Sequence, residues 1–226
     1  MPEIPSFLVT ALLLGLSAGL FEELTRYGMY RWWAKDARTW GKSVLLGTGW
    51  GGVEAIFVGL IILYAYIQVL YLGSADLSTL LPPEQIELAR SQIEAYWSIP
   101  WYMSMLGFVE RMLAIPIQIA LSVMMLQVFI RKQSRWLWIA ILWHTLVDTL
   151  AVFLLQYWKG YDWASFAIEG VIAILSIISL AILFGLKQPE PEPDPEPEPA
   201  LQQLMDVSTL AEPEVTSDDL DDSQYL

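Results

Sequence analysis

Long apolar runs separated by short charged stretches fill the first 186 residues of the chain. FLVTALLLGLSAGL at 7–20 is the first of them, and similar runs recur four more times. The pattern predicts five helical spans, at roughly 5–34, 43–73, 100–130, 136–158 and 163–186. A bilayer-crossing helix needs about 20 apolar residues. The first three spans therefore have length to spare for tilt or protrusion. The expected fold is an all-α polytopic transmembrane bundle of about five spans over residues 1–186. Between spans two and three, PPEQIELARSQIEAYWS at 82–98 breaks the apolar pattern. Ile86, Leu88, Ile93 and Tyr96 give it a modest apolar face, which reads as a short amphipathic helix or a structured loop at the outer surface.

Composition supports a membrane class. Hydrophobic residues make up 55% of the chain, and mean hydropathy is +0.46. Eleven Trp and ten Tyr suit interfacial positions at headgroup level. Cysteine is absent, so neither a disulfide framework nor a thiolate metal site is available. The amino terminus lacks the cationic start and small-residue cleavage site of a signal peptide.

The net charge of −13 is unevenly placed. Residues 187–226 hold twelve Asp/Glu against one Lys, whereas 1–186 hold thirteen acids against eleven Lys/Arg. The tail begins with PEPEPDPEPEP, an alternation that favours extended polyproline-II and no packed core. It is expected to be a disordered, solvated, cytoplasmic tail, with docking of a protein partner through DDLDDSQYL as the alternative. No basic surface suggests nucleic acid.

Charge in the connections sets orientation. The first carries Arg26, Arg31, Lys35, Arg38 and Lys42 against Asp36, and the third carries Arg131, Lys132 and Arg135. The second is acidic, and the fourth has Lys159 and Asp162. The positive-inside rule then places connections one and three in the cytoplasm, the amino terminus outside and the tail inside, in the cell membrane.

Candidate chemistry lies within the spans. Charged side chains at membrane depth usually face a bundle interior and mark a site. Here they are Glu22, Glu23 and Arg26 on span one, Glu54 on span two, Glu110 and Arg111 on span three, and His144 and Asp148 on span four. At about 100° per residue, Arg26 projects between Glu22 and Glu23, about 40° from Glu22. Glu22–Arg26 is the favourable i,i+4 order. His144 and Asp148 are also i,i+4, so Asp148 is expected to fix the imidazole tautomer. Arg111, Gln118 and Ser122 form a polar stripe, and Pro116 is expected to kink that helix. Counting from the cationic loops at 1.5 Å per residue, Glu23 and Glu54 lie about 18 Å deep and His144 about 13 Å. Glu110 counts nearer the outer side and fits the shared level least. Five carboxylates facing two arginines and one histidine imply shared protons, a bound cation or a wet cavity. GTGWGG at 47–52 is read as close helix packing.

AGLFEELTRY resembles the EExxR-type motif of the CPBP (type II CAAX prenyl endopeptidase-like) superfamily. Together with GWGGVEAI, FVERMLAIPIQIALSV and LWHTLVDTLAV, it is similar to the YhfC family of intramembrane metalloproteases, related to the PrsW group. The likeness covers about residues 10–155, with the four blocks in family order. It implies a membrane-embedded site in which a glutamate activates water to cleave a peptide bond of a membrane protein or peptide. Carried over, Glu22 and Glu23 supply the base and its neighbour, Arg26 orients them, and His144 positions water or stabilises the oxyanion. The family pattern also implies histidines where this chain has Trp50 and Gln118, so a multi-histidine metal site is not available. A divalent metal would take carboxylates and one imidazole, a set better suited to a hard ion than to zinc. The expected function is thus intramembrane peptide hydrolysis. One alternative is a catalytically inactive relative that binds or scaffolds a membrane partner. Another is a small transporter, although no internal repeat is evident.

Overall fold

The computed structural model describes residues 4–189, and every regular element among them is helical. The helices are α1 (Ile4–Gly28), α2 (Trp40–Ser74), α3 (Leu77–Leu80), α4 (Pro83–Ser98), α5 (Met103–Ile130), α6 (Arg135–Tyr157) and α7 (Ala164–Gly185). A π-helical turn at Met29–Trp33 and a 3₁₀ turn at Lys35–Ala37 join α1 to α2. Five helices, α1 with its π turn, α2, α5, α6 and α7, are long and apolar enough to cross a membrane. The acidic tail from residue 190 onward lies outside the described residues.

α5 is the centre. Every residue from Ile117 to Gln127 except Ile119 is buried, with neighbours on α2, α6 and α7. The helix continues through Pro116. α1 reaches the bundle chiefly through α6. The reason is a stripe of small residues on one face of α1, Ala11, Gly15 and Gly19, all buried. A side chain at Gly19 would stand 2.6 Å from Thr145 Oγ1 and 3.0 Å from the Ile141 carbonyl oxygen. Small residues at four-residue spacing let two backbones meet at this range. α2 uses the same device against α5. Ser43, Gly47 and Gly51 are buried, and a side chain at Gly47 would stand 2.6 Å from Ile119 Cα. Gly49 and Gly52 of the same motif face open space, so only one face of GTGWGG packs closely.

From Val53 onward most of the apolar side chains of α2 face away from the bundle. Val53, Ile56, Phe57, Leu60, Ile61 and Ile67 are exposed, apolar surface of the kind a lipid environment covers. At 1.5 Å per residue its 35 residues make a helix about 52 Å long, well beyond the ~30 Å hydrocarbon core. α3 and α4 fold back along its end. Tyr66 lies 6.4 Å, ring to ring, from both Tyr96 and Trp97. α4 confirms the amphipathic helix expected at 82–98, with Pro83 in its first turn. The four-residue α3 was not foreseen; Asp76 Oδ1 caps it by accepting from Ser78 N at 3.0 Å and Ser78 Oγ at 2.7 Å.

The opposite end of the bundle is cationic and fastened. Trp40 Nε1 donates to the Leu183 carbonyl at 3.2 Å. Buried Gln127 accepts from Arg131 Nε at 2.7 Å and from Gln188 Nε2 at 3.4 Å. The Arg38 guanidinium lies 4.6 Å from the Phe129 ring centroid. These contacts bring connections one and three and the start of the tail to one end, as an odd number of spans requires.

Candidate functional site

The buried face of α1 continues past its small residues. Ala11, Gly15, Gly19, Glu23, Arg26 and Tyr30 are all buried, spaced four, four, four, three and four residues apart, the spacing of one helix face. Glu23 and Arg26 are 0% exposed. Arg26 is therefore paired with Glu23, and not with Glu22 as its i,i+4 position suggested. Its other Nη donates to Gln118 Oε1, and its guanidinium lies 4.7 Å from the centroid of the Trp50 ring. The chain is anchored again in the π turn beyond Arg26, where Tyr30 Oη and Ser43 Oγ are 2.6 Å apart.

His144 stands over this pair. Its Nδ1 lies 2.9 Å from Glu23 Oε1; a carboxylate only accepts, so the proton sits on Nδ1. Glu23, not Asp148, thus fixes the tautomer. Nε2 is left facing outward, 3.5 Å from Asp148 Oδ2 and 3.9 Å from Glu22 Oε2. Glu22 makes no ion pair with Arg26 and shares Trp50 and Gln118 with it instead. Its Oε2 accepts from Trp50 Nε1 at 3.1 Å and from Gln118 Nε2 at 3.3 Å.

Gln118 joins the two groups. Its Oε1 accepts from Arg26, and its Nε2 donates to Glu22 and, at 2.7 Å, to Glu54 Oε2. Glu54 Oε1 in turn accepts from Arg111 Nη1 at 2.8 Å. The other Arg111 Nη donates to Glu110 Oε1. Glu110 thus joins the cluster, although counting along the chain placed it at another level, because Arg111 holds it together with Glu54. Ser122, the last member of the expected polar stripe, is buried behind Gln118. Only its carbonyl is engaged, by Tyr30 Oη at 3.3 Å, while its Oγ is buried without a hydrogen-bond partner.

Together Glu22, Glu54, Glu110, Arg111, Gln118, His144 and Asp148 line a cleft of about 100 Å³ between α1, α2, α5 and α6, closed on one side by Ile172 of α7. It has two levels. The floor of Glu23, Arg26, Gln118 and His144 is buried. At the mouth, the side chains of Glu22, Glu54, Glu110 and Asp148 are 32%, 31%, 40% and 34% exposed. All nine residues singled out from the sequence meet here. Sequence reasoning passed over Glu169 of α7, which lies within electrostatic reach of Glu110 and Arg111. Its signal was present: an acid one and a half turns into an apolar helix. It also passed over Trp50 as a donor to Glu22.

The family model described as YhfC intramembrane metalloprotease matches residues 4–173. The membrane protein YhfC of Bacillus subtilis (strain 168) is 33% identical over 167 residues, which span 73% of this chain and 64% of that protein. The chain thus matches less than two thirds of that relative's length. No solved structure matches it. The metal in the family's description finds no ready set of ligands here. The chain has one histidine and no cysteine, and His144 has given one ring nitrogen to Glu23. Among the described residues, no three His, Asp or Glu side chains are grouped so as to hold an ion.

Proposed function

The chain belongs to the YhfC intramembrane metalloprotease family, and from that premise we propose that it hydrolyses a peptide bond of a membrane-embedded protein or peptide with a glutamate-activated water. The observation that carries the reading is the division of labour between neighbouring glutamates. Glu23 is sealed in the floor between Arg26 and His144, while Glu22 opens into the cleft beside His144 Nε2. Glu22 is the base. His144, its tautomer set by Glu23, uses Nε2 to position the water. In the first step the water oxygen bonds to the scissile carbonyl carbon as Glu22 takes the water proton. The Gln118 N–H that Glu22 releases as it becomes protonated then donates to the oxyanion. In the second step the C–N bond breaks and Glu22 returns its proton to the leaving amine. Arg26 holds Glu23 ionised and in place, and Arg111 does the same for Glu54 and Glu110. No step uses a metal.

The second reading is a relative that binds a transmembrane partner through the same cleft without cleaving it. What favours it is that Glu22, Glu23, Glu54 and Glu110 all already accept hydrogen bonds. In either case the cationic end, carrying Arg31, Lys35, Arg38, Arg131 and Lys132, is assigned to the cytoplasm of the cell. A cleavage assay on reconstituted full-length chain with membrane-protein substrates decides between the two. For a general base or its partner, Glu22→Gln and His144→Ala each lower turnover about 10²–10⁴-fold, and thermal unfolding changes little for Glu22→Gln, whose side chain is a third exposed. Turnover unaffected by both substitutions rejects the assignment. A partner that co-purifies uncleaved supports the second reading.

A further inference from the structure

We infer that the guanidinium groups of Arg26 and Arg111, and not a bound divalent cation, hold the carboxylates of this cleft. The inference rests on the hydrolytic site described above but not on its activity. Three observations lead to it. First, each of the four glutamates already accepts a hydrogen bond through at least one oxygen, and Glu23 Oε2 is the buried oxygen left over. Glu23 Oε1 accepts from Arg26 and His144. Both oxygens of Glu54 are bonded, one to Arg111 and one to Gln118. Glu110 accepts from Arg111, and Glu22 Oε2 accepts from Trp50 and Gln118. The free Glu23 Oε2 is a single ligand atom, and a cation that drew in Glu54 or the bonded oxygens of Glu22 and Glu110 as well would compete with the N–H donors already on them.

Second, the buried floor is already neutral. It holds one carboxylate, one guanidinium, one amide and one imidazole, joined in a chain from His144 through Glu23 and Arg26 to Gln118. A divalent ion added there would be a buried charge with no counterpart, which is strongly unfavourable. Third, the surplus of acid lies at the mouth, on side chains about a third exposed. Water can screen charge there without a metal. The set that comes nearest to a cation site is His144 Nε2 with Asp148 and Glu22, and Glu22 would first have to release Trp50 and Gln118.

The test uses the full-length chain in detergent micelles, purified without chelator, and reads metal content by mass spectrometry and the thermal unfolding midpoint. We expect less than about 0.1 Zn, Mn or Fe per chain, and a midpoint unchanged by EDTA or by added Zn²⁺ or Mn²⁺, because an ion that does not bind the native state cannot stabilise it. Arg111→Met supplies the positive arm. With Glu54 and Glu110 left unopposed, that variant should unfold at a lower temperature and regain about 2–5 °C on adding Mn²⁺. The inference is overturned if the unaltered chain retains about one ion that Glu22→Gln or His144→Ala removes, or if EDTA lowers its midpoint by about 5 °C or more. It is also overturned if Mn²⁺ stabilises the unaltered chain as much as Arg111→Met. Neither readout needs a substrate. A chain that cleaves nothing but binds no metal would sink the hydrolytic reading alone, and a chain that cleaves with a bound metal would sink this inference alone.

Discussion

Arg26 and Arg111 make the same kind of contacts in opposite surroundings. Each guanidinium donates to two side-chain oxygens, Arg26 to Glu23 and Gln118, Arg111 to Glu54 and Glu110. Arg26 and Glu23 are fully buried, whereas Arg111 and its partners are a quarter to two fifths exposed. Chemistry alone would rank the two clusters equal; burial separates them. Losing one partner of a buried pair strands a charge in low dielectric. Losing one partner of an exposed pair leaves a charge that water can solvate. The floor is therefore the fixed part of the site, and the mouth is the part free to exchange partners.

The sharpest break of that comparison is Arg26→Met. It should cost about 3–5 kcal/mol by thermal or denaturant unfolding in micelles, or prevent folding, because Glu23 is left buried without its cation. Glu23→Gln combined with Arg26→Met should recover part of the loss, and no recovery would show that the cost is one of packing rather than charge. Next comes Gly19→Val, which drives a branched side chain into Thr145 and the Ile141 carbonyl; about 1–3 kcal/mol is expected. Gly49→Val on the open face of α2 should leave the unfolding midpoint nearly unchanged, and equal losses at both glycines would contradict the packing described for α1 and α6. At the mouth, Arg111→Met should cost no more than about 1 kcal/mol; a loss as large as that of Arg26→Met would erase the distinction between the two levels.

The smallest effect is expected at the short helix α3, away from the cleft. The Ser78 hydroxyl and then the Ser78 backbone N–H donate to Asp76 and hold its carboxyl below its usual value. A lowered folded pKa means that the contribution is present above the ordinary carboxylate range and is lost as pH falls through and below it. Asp76→Ala should therefore remove protection of the α3 amides at neutral pH but make little difference near pH 3. Hydrogen exchange at both pH values would show this, and a pH-independent difference would dismiss the cap.

The expected features that held are those set by single helices. The five spans, the surface helix at 82–98 and the gathering of connections one and three follow from run lengths and loop charge. Membrane-depth charges pointed to a shared site, and Glu22, Glu23, Glu54, Glu110, Asp148 and His144 do meet. Which glutamate is buried was also legible in principle. Ala11, Gly15 and Gly19 mark the face that packs, and one more step of four lands on Glu23. Reading the pair by i,i+4 charge order alone gave Arg26 the wrong partner, since a small-residue stripe decides which face is inside before any side chain chooses an ion pair. Glu169 was missed because a single acid near the start of an apolar helix has no neighbour in sequence to make it part of a pattern.

What the sequence determined by itself is the number of crossings, the cationic end and the residue types available for chemistry, because these depend on local apolarity and on charge counts along the chain. The tertiary structure alone decided that Gln118 bridges floor and mouth, that Glu110 shares a level with Glu54, and that Glu23 rather than Asp148 holds the imidazole. Those facts depend on how α1, α2, α5 and α6 are staggered against one another. That stagger is set where glycines let backbones touch, a relation between helices that no single helix carries.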